Sequence, residues 1–234
     1  MGSLLVLWDV DNTLIANGGV SKDAYGGAFE LLTMTSPVHR ARTGGSTDFL
    51  IMRDLVERHG MPFTDEMAAR IPEALEASLS ARRSDLAVRG RELPGARAAL
   101  AALAEIKGVY QSVLTGNMQP NGFTKLDTFG LAGPPLDWEV GAYGSDDSIR
   151  SNLVGIAQKR ASRKYGEPFA RDNTLLIGDT PNDVRAGLDG GARVLAIASG
   201  SDTVEQLADA GADIVLPDLA DTDAVLAALK RALA

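Results

Sequence analysis

Apolar residues recur along this chain at two spacings, and the switch between them lays out its organisation. A continuous apolar run from Leu4 through Trp8 stops abruptly at Asp9. A run of this kind, bounded by polar residues, predicts a central strand of a parallel sheet covered on both faces. Comparable stretches begin at Val109 and Thr174 and end at Thr115 and Asp179, so three predicted strands finish in polar side chains. Open α/β sheets bind ligands beyond the carboxyl ends of their strands, which puts these groups on one edge. Trp138 to Ala142, Ala192 to Ala198 and Asp213 to Leu216 predict further strands, and Pro181 to Leu188, Val204 to Ala210 and Asp221 to Leu233 predict helices. Pro94 marks the entry to a helix running to Lys107, and another helix is predicted from about Arg150 to Tyr165. Strands alternating with helices imply an α/β fold built on a doubly wound parallel sheet.

One interval does not fit a simple crossover. Between the first strand and the one ending at Thr115 lie roughly a hundred residues, far beyond the dozen or more that a parallel connection requires. Lys22 to Leu32, Thr47 to His59 and Asp65 to Ser80 carry apolar residues at helical spacing. They predict a small helical domain over residues 16–89, inserted into a core formed by residues 1–15 and 90–234. Gly18-Gly19 and the polar stretch Val88 to Glu92 are its expected hinges.

The chemistry gathers where the strands end. Asp9 and Asp11 are separated by one residue, and two carboxylates this close repel unless a cation or a shared proton compensates. A hard, oxygen-loving ion such as Mg²⁺ suits them. The same spacing is also common in turns and helix entries, because Asp and Asn satisfy local backbone donors. Two further segments narrow the choice. Val113-Leu114-Thr115-Gly116-Asn117 brings a hydroxyl and a glycine to a second strand end, and Gly178-Asp179-Thr180-Pro181-Asn182-Asp183 brings two more acids to a third. A positive residue, Arg150, lies between them.

Taken together, these segments resemble the haloacid-dehalogenase-like (HAD) hydrolase superfamily, in particular its phosphoglycolate-phosphatase-like branch. The resemblance covers nearly the whole chain. Asp9, Asp11 and Thr13 match the first motif, D-x-D-x-T; Thr115 matches the second; Gly178, Asp179 and Asp183 match the fourth, G-D-x-x-x-D. The third motif is usually a lysine, and here the matching residue is Arg150. Lys159 is the rival, but the helix N-terminus faces the strand ends, and at about 1.5 Å per residue Lys159 sits roughly 13 Å farther along. The resemblance implies a Rossmann-like core with a C1-type helical cap. It makes Asp9 the nucleophile that forms an aspartyl-phosphate and Asp11 the general acid and base. Mg²⁺ would be held by the Asp9 carboxylate, the Asp11 backbone carbonyl and Asp179. Thr115, with the N–H groups of Gly116 and Asn117, and Arg150 would bind the phosphoryl group. Thr13 would hold the first loop's shape, and Asp183 would order a water or hold Arg150. Asn12 stands where many relatives have glycine, and Asn tolerates the left-handed region fairly well.

Composition bounds the remaining options. The chain has 234 residues, enough for a sizeable core, and no cysteine, which excludes disulfides, thiolate metal sites and cysteine nucleophiles. A net charge of −8 argues against a nucleic-acid partner. The apolar run at the N-terminus is broken by Asp9 and lacks a basic flank, so it reads as neither secretory signal nor membrane span, and a cytoplasmic protein is expected. His39 and His59 are the only histidines, and both fall in the helical insertion with surface or packing roles expected. The stretch Arg42 to Asp48 is a candidate for reading the substrate's leaving group, or else a glycine-rich turn capping the helix near Thr47.

The leading expectation is therefore a Mg²⁺-dependent phosphatase acting on a small phosphorylated metabolite such as phosphoglycolate, a sugar phosphate or a nucleotide. Alternatives on the same fold are a phosphomutase and a non-catalytic phospholigand binder. Asp11 disfavours dehalogenation, since a halide needs no proton to leave. Phosphonate cleavage would need a cap lysine, and Lys22 is the only one in that region. Substrate identity and oligomeric state stay open.

Overall fold

Strand β1 (Leu4–Trp8) is buried along its whole length, and its side chains divide by parity between two cores in this computed structural model, which describes residues 2–232. Leu4, Val6 and Trp8 face one side, where helices α5 (Ala96–Ala104) and α10 (Thr222–Ala232) supply Ala99, Leu100, Leu103, Val225 and Leu229. Leu5 and Leu7 face the other, against Leu153, Val154 and Ala157 of α7 (Arg150–Tyr165) and Ala186 of α8 (Pro181–Gly190). A side chain of this size contributes roughly 1.5–3 kcal/mol when fully buried, so both faces must be covered for β1 to be stable. The one polar atom on the strand's side chains, Nε1 of Trp8, donates to Gln111 Oε1 at 3.0 Å.

The main sheet has six parallel strands in the order β5-β4-β1-β6-β7-β8. Beside β1 these are β4 (Val109–Thr115), β5 (Ala142–Tyr143), β6 (Thr174–Gly178), β7 (Arg193–Ile197) and β8 (Ile214–Leu216), with β5 and β8 at the edges. From β1 the chain builds outward through β4 to β5, then crosses to the other side of β1 to lay down β6, β7 and β8. Strand order reverses at β1, and ligands bind at such a switch point. Helix α6 (Gln119–Thr128) follows β4, and α9 (Val204–Asp209) precedes β8.

Four helices fill the long interval after β1: α1 (Val20–Thr33), α2 (Asp48–Arg58), α3 (Asp65–Ser80) and α4 (Arg83–Arg89). Helices α1, α2 and α3 enclose an apolar core, with Phe29, Met52, Leu55, Ile71 and Leu75 at its centre, and Leu86 of α4 packs separately on Val20, Ala24 and Leu79. The chain segments entering and leaving this bundle, β2 (Ile15–Ala16) and β3 (Arg91–Glu92), pair antiparallel. Gly18 has φ +61°, and a Cβ there would run into the Arg89 backbone. The expected hinge glycine thus lies against the returning connection, where a side chain would not fit. Among the described residues, no helix is long and apolar enough to cross a membrane.

Several expected boundaries move. The strand expected over Trp138 to Ala142 is confined to Ala142–Tyr143. Upstream of it the chain is a turn in which Val140 N–H bonds Asp137 O at 3.4 Å and the Trp138 carbonyl accepts from Tyr143 Oη at 2.6 Å. Helices α4 and α6 add to the expected set. Part of the last expected helix, Leu233, lies outside the described residues.

Candidate active site

Three strand ends converge on one cavity. Asp9 follows β1, Thr115 closes β4 and Asp179 follows β6, and all three line a space of about 610 Å³ with Asp11, Gly116, Asn117 and Arg150. The loop after β1 turns through Asn12, which takes φ 59°, the left-handed conformation that asparagine accepts more readily than most residues. Thr13, fully buried, turns its hydroxyl to Asp179 Oδ1 at 3.4 Å and so ties this loop to the end of β6.

Arg150 joins the acids from the first turn of α7. Its Nη2 donates to Asp9 Oδ1 at 2.7 Å and to Asp183 Oδ1 at 2.5 Å. Lys159, on the same helix, is exposed. Asp183 serves two structures at once. Its other oxygen accepts from Thr180 N at 3.0 Å and Thr180 Oγ1 at 2.6 Å, capping α8, while Oδ1 holds the guanidinium. Arg150 Nε is buried without a hydrogen-bond partner among the described residues, a donor in reserve beside the acids.

The carboxylates are more crowded than one guanidinium can balance. Oxygens of Asp9, Asp179 and Asp183 lie within 4.8 Å of one another, and all three residues are buried. Burial pushes the Asp9 carboxyl up to about 7, with Arg150 opposing the rise and the charges of Asp183 and Asp11 adding to it. Burial and the neighbouring charges of Asp183 and Asp9 push Asp179 up to about 9. Burial works against the Arg150 charge as well, but Asp183 and Asp9 outweigh it and raise its pKa. A buried carboxylate in like-charged company, bonded by one long hydroxyl contact, is a donor set suited to a hard cation. Asp9 and Asp179 have the free capacity to hold it; Asp183 is committed to Arg150 and Thr180.

Asp11 stands apart from that cluster. Its Oδ1 accepts from Asn17 Nδ2 at 2.7 Å and Ser21 Oγ at 3.5 Å, and its Oδ2 from Asn117 Nδ2 at 2.9 Å and Lys125 Nζ at 2.6 Å. Burial pulls its pKa upward, but Lys125, Asn117 and Asn17 together hold it below the usual carboxylate value. Lys125 lies on α6, buried, with a second bond to Asn117 Oδ1 at 2.6 Å. Sequence reasoning missed it. Asn117 also departs from its expected use: its N–H points to Thr115 Oγ1 at 3.3 Å, and its side chain links Thr115, Asp11 and Lys125. Thr115 Oγ1 thereby accepts twice, which leaves its O–H to donate into the cavity.

The helical bundle closes the cavity through the stretch Arg42 to Asp48. Asp48 N–H bonds Gly116 O at 2.7 Å, Thr47 Oγ1 donates to Ser148 O at 3.1 Å, and Asn182 Nδ2 donates to Gly44 O at 2.5 Å. A Cβ on Gly116 would collide with the Ser46 carbonyl and lie 2.9 Å from Arg150 Nη1, so only glycine admits this loop. Asp48 is buried and accepts from Tyr25 Oη at 2.5 Å and Met118 N at 2.8 Å. His59 packs in the bundle, accepting from Val38 N at 2.9 Å with its ring 4.3 Å from that of Phe29, while His39 is at the surface against the edge of His59.

A family model described as haloacid dehalogenase-like hydrolase matches residues 6–187, most of the chain and every residue of the cavity's acidic floor. The chain belongs to this family. A second, HAD-hydrolase-like model matches residues 153–222. Solved HAD-type structures share the fold. A hydrolase from Pseudomonas syringae is 23% identical with TM-score 0.71, covering 96% of this chain and 98% of its own. A predicted phosphoglycolate phosphatase from Haemophilus somnus is 17% identical with TM-score 0.65, covering 96% and 98%. A β-phosphoglucomutase from Clostridium difficile is 12% identical with TM-score 0.72, covering 98% of both chains. No curated protein matches the chain in sequence. Arg150 and Lys125 are the two buried cations paired with the acids of this site.

Proposed function

We propose that this HAD-family protein is a Mg²⁺-dependent phosphatase that hydrolyses a small phosphomonoester through an aspartyl-phosphate on Asp9. The observation that carries the reading is the division of labour between Asp9 and Asp11: one sits in the acidic cluster with Arg150, the other apart from it, held by Lys125 and Asn117. A single carboxylate environment would suit binding alone; two different ones suit a nucleophile and a proton carrier.

In the proposed reaction an Asp9 oxygen attacks phosphorus while the bond to the ester oxygen breaks. Asp11, ionised in the free protein, becomes more basic as the anionic phosphate enters, takes up a proton from solvent and gives it to the departing alkoxide. Water then attacks the phosphoryl group on Asp9, Asp11 takes the water's proton, and inorganic phosphate and free Asp9 result. Thr115 Oγ, the Gly116 N–H and Arg150 bind phosphoryl oxygens and meet the growing charge. Mg²⁺, held by Asp9 and Asp179, would neutralise the crowded acids and lessen the repulsion between an anionic nucleophile and an anionic substrate. Helices α1–α4 act as the cap. The cavity of about 610 Å³ is of the size that takes a small metabolite, and Thr43 to Ser46 of the cap loop line one side of it.

The test is phosphate release from a panel of small phosphomonoesters with Mg²⁺, wild type beside Asp9→Asn. Release from one compound well above the rest, abolished in the variant, is the expected result. Turnover only when a bisphosphate is supplied would identify a mutase, and binding of phosphate esters without turnover would identify a non-catalytic receptor.

A further inference from the structure

We propose that Lys125 is a positioning residue that sets the Asp11 carboxylate toward the leaving-group side of the cavity. This inference rests on the phosphatase reading and adds a residue that the sequence motifs do not include. Its first support is energetic. Lys125 lies on α6 where Ala24, Leu75 and Leu79 also approach, and its side chain is 3% exposed. An apolar residue would pack there without removing an ammonium from water, and replacing a buried ion pair by apolar packing is often neutral or stabilising. The ammonium donates to Asp11 Oδ2 and to Asn117 Oδ1, each at 2.6 Å. Both acceptors are active-site groups, so the buried charge is spent on the site.

The second support is geometric. Asn117 Nδ2 donates to that same Oδ2, and Asn117 Oδ1 accepts from Lys125, so the three side chains close a ring. A ring fixes direction as well as distance. The opposite oxygen, Oδ1, meets Asn17 and Ser21 on the stretch leading into the helical bundle. Asp11 is therefore gripped from the core by Lys125 and Asn117 and from the bundle by Asn17 and Ser21, while Arg150 keeps Asp9 in a separate pair. Lys125 acts through Asp11 and touches neither phosphoryl group nor nucleophile.

The experiment compares kcat/KM for p-nitrophenyl phosphate and phenyl phosphate with Mg²⁺ in wild type, Lys125→Met, Asp11→Asn and the double variant. The parameter kcat/KM reports the steps through loss of the alcohol, where Asp11 acts as acid. Nitrophenolate leaves without help and phenolate needs a proton, so Lys125→Met is expected to slow phenyl phosphate about tenfold more than p-nitrophenyl phosphate, within the roughly 10²–10⁴ that general acid catalysis supplies. In the Asp11→Asn background the same substitution should add less than about twofold, because residues acting as one unit are non-additive. Equal slowing of both esters, or full additivity with Asp11→Asn, would overturn the role. Should Lys125→Met not fold, Lys125→Gln, which can still donate to Asp11, is expected to fold and show the same skew more weakly. Failure of both to fold would reassign Lys125 to stability. If wild type released no phosphate from either ester, the phosphatase reading itself would fall, a result distinct from any pattern among the variants.

Discussion

At the scale of single residues, Arg150 is the site's main structural charge. One of its nitrogens serves two buried carboxylates, and removing the guanidinium would leave both uncompensated. Breaking a buried pair in this way costs about 3–5 kcal/mol. Arg150→Met is therefore expected to lower stability by that order in metal-free protein, read as a shift in urea midpoint at unchanged m-value. Arg150→Lys keeps the charge but loses the fork, so it should retain most of the stability and lose more in activity. The reverse pattern, a stable Arg150→Met, would mean that the acids already share protons and do not need the cation. Thr115 makes the complementary case. Its hydroxyl has both acceptor positions filled by Asn117 and only its proton left to give. Thr115→Val is expected to reduce kcat by about 10²–10³, the effect of deleting one oxyanion donor, with a much smaller change in KM. Steady-state kinetics on the substrate found by the phosphate-release panel decide it.

Elements carry the contact between the helical bundle and the sheet. Helix α2 begins at Asp48, whose backbone bonds Gly116 and whose side chain joins Tyr25 of α1 to Met118, the residue ahead of α6. Burial raises the Asp48 carboxyl, with Lys125 and the Tyr25 and Met118 bonds opposing, so the latch is tight but electrically strained. Asp48→Ala would strand a buried hydroxyl and a buried N–H, at about 1–3 kcal/mol for each. Asp48→Asn can accept from Met118 and donate to Tyr25, and should recover most of that loss in chemical denaturation. This latch shows where sequence patterning runs out. Strand β1 is legible because every one of its positions is apolar, β4 and β6 because Val113-Leu114 and Leu175-Leu176-Ile177 run apolar into their polar ends although Gln111, Ser112 and Thr174 are buried as well, and α7 because its apolar residues recur at helical spacing. Arg150 follows from α7 by length alone. Helix α6 is not legible: it opens Gln119-Pro120-Asn121-Gly122, residues of turns more than of helix interiors, and its buried face includes Asn121 and Lys125. Without α6 there is no reason to bring Lys125 to Asp11. Helix α4 has one buried residue, Leu86, too few for a periodic signal, and the pairing of β2 with β3 spans only two residues on each side. The expected strand at Trp138 fails for the opposite reason. Its apolar residues are real, but Trp138 Nε1 bonds Ala132 O at 2.7 Å, within a turn rather than a ladder.

For the molecule as a whole, the acidic cluster links folding to pH and, under the proposed function, to metal. Burial, together with the neighbouring acids, pushes the Asp9 and Asp179 carboxyls up to about 7 and about 9 in the folded protein, against roughly 3.9 in an unfolded chain. Between those limits the metal-free fold holds more protons than the unfolded chain, so its stability falls as pH rises across the window. A cation between Asp9 and Asp179 removes the reason for holding those protons. Mg²⁺ should accordingly stabilise the protein more at about pH 8 than at about pH 5.5, where protons already do part of the work. At roughly 2–4 °C per kcal/mol for a chain of this size, the difference between the two Mg²⁺-induced shifts in Tm should reach at least about 3 °C. Chelation should abolish it. Two other acids leave the comparison intact. Asp11, held low, would lose its contribution only as pH falls below the unfolded value of about 3.9, beneath both conditions. Asp48 is raised and bends stability in the same sense as the cluster, but it stands outside the three acids and does so with or without metal. Equal Mg²⁺ shifts at the two pH values would therefore place the ion away from Asp9 and Asp179. Asp179→Asn sharpens the point: it relieves the crowding without a cation, so the metal-free variant should melt higher than metal-free wild type at about pH 8 and gain less from Mg²⁺.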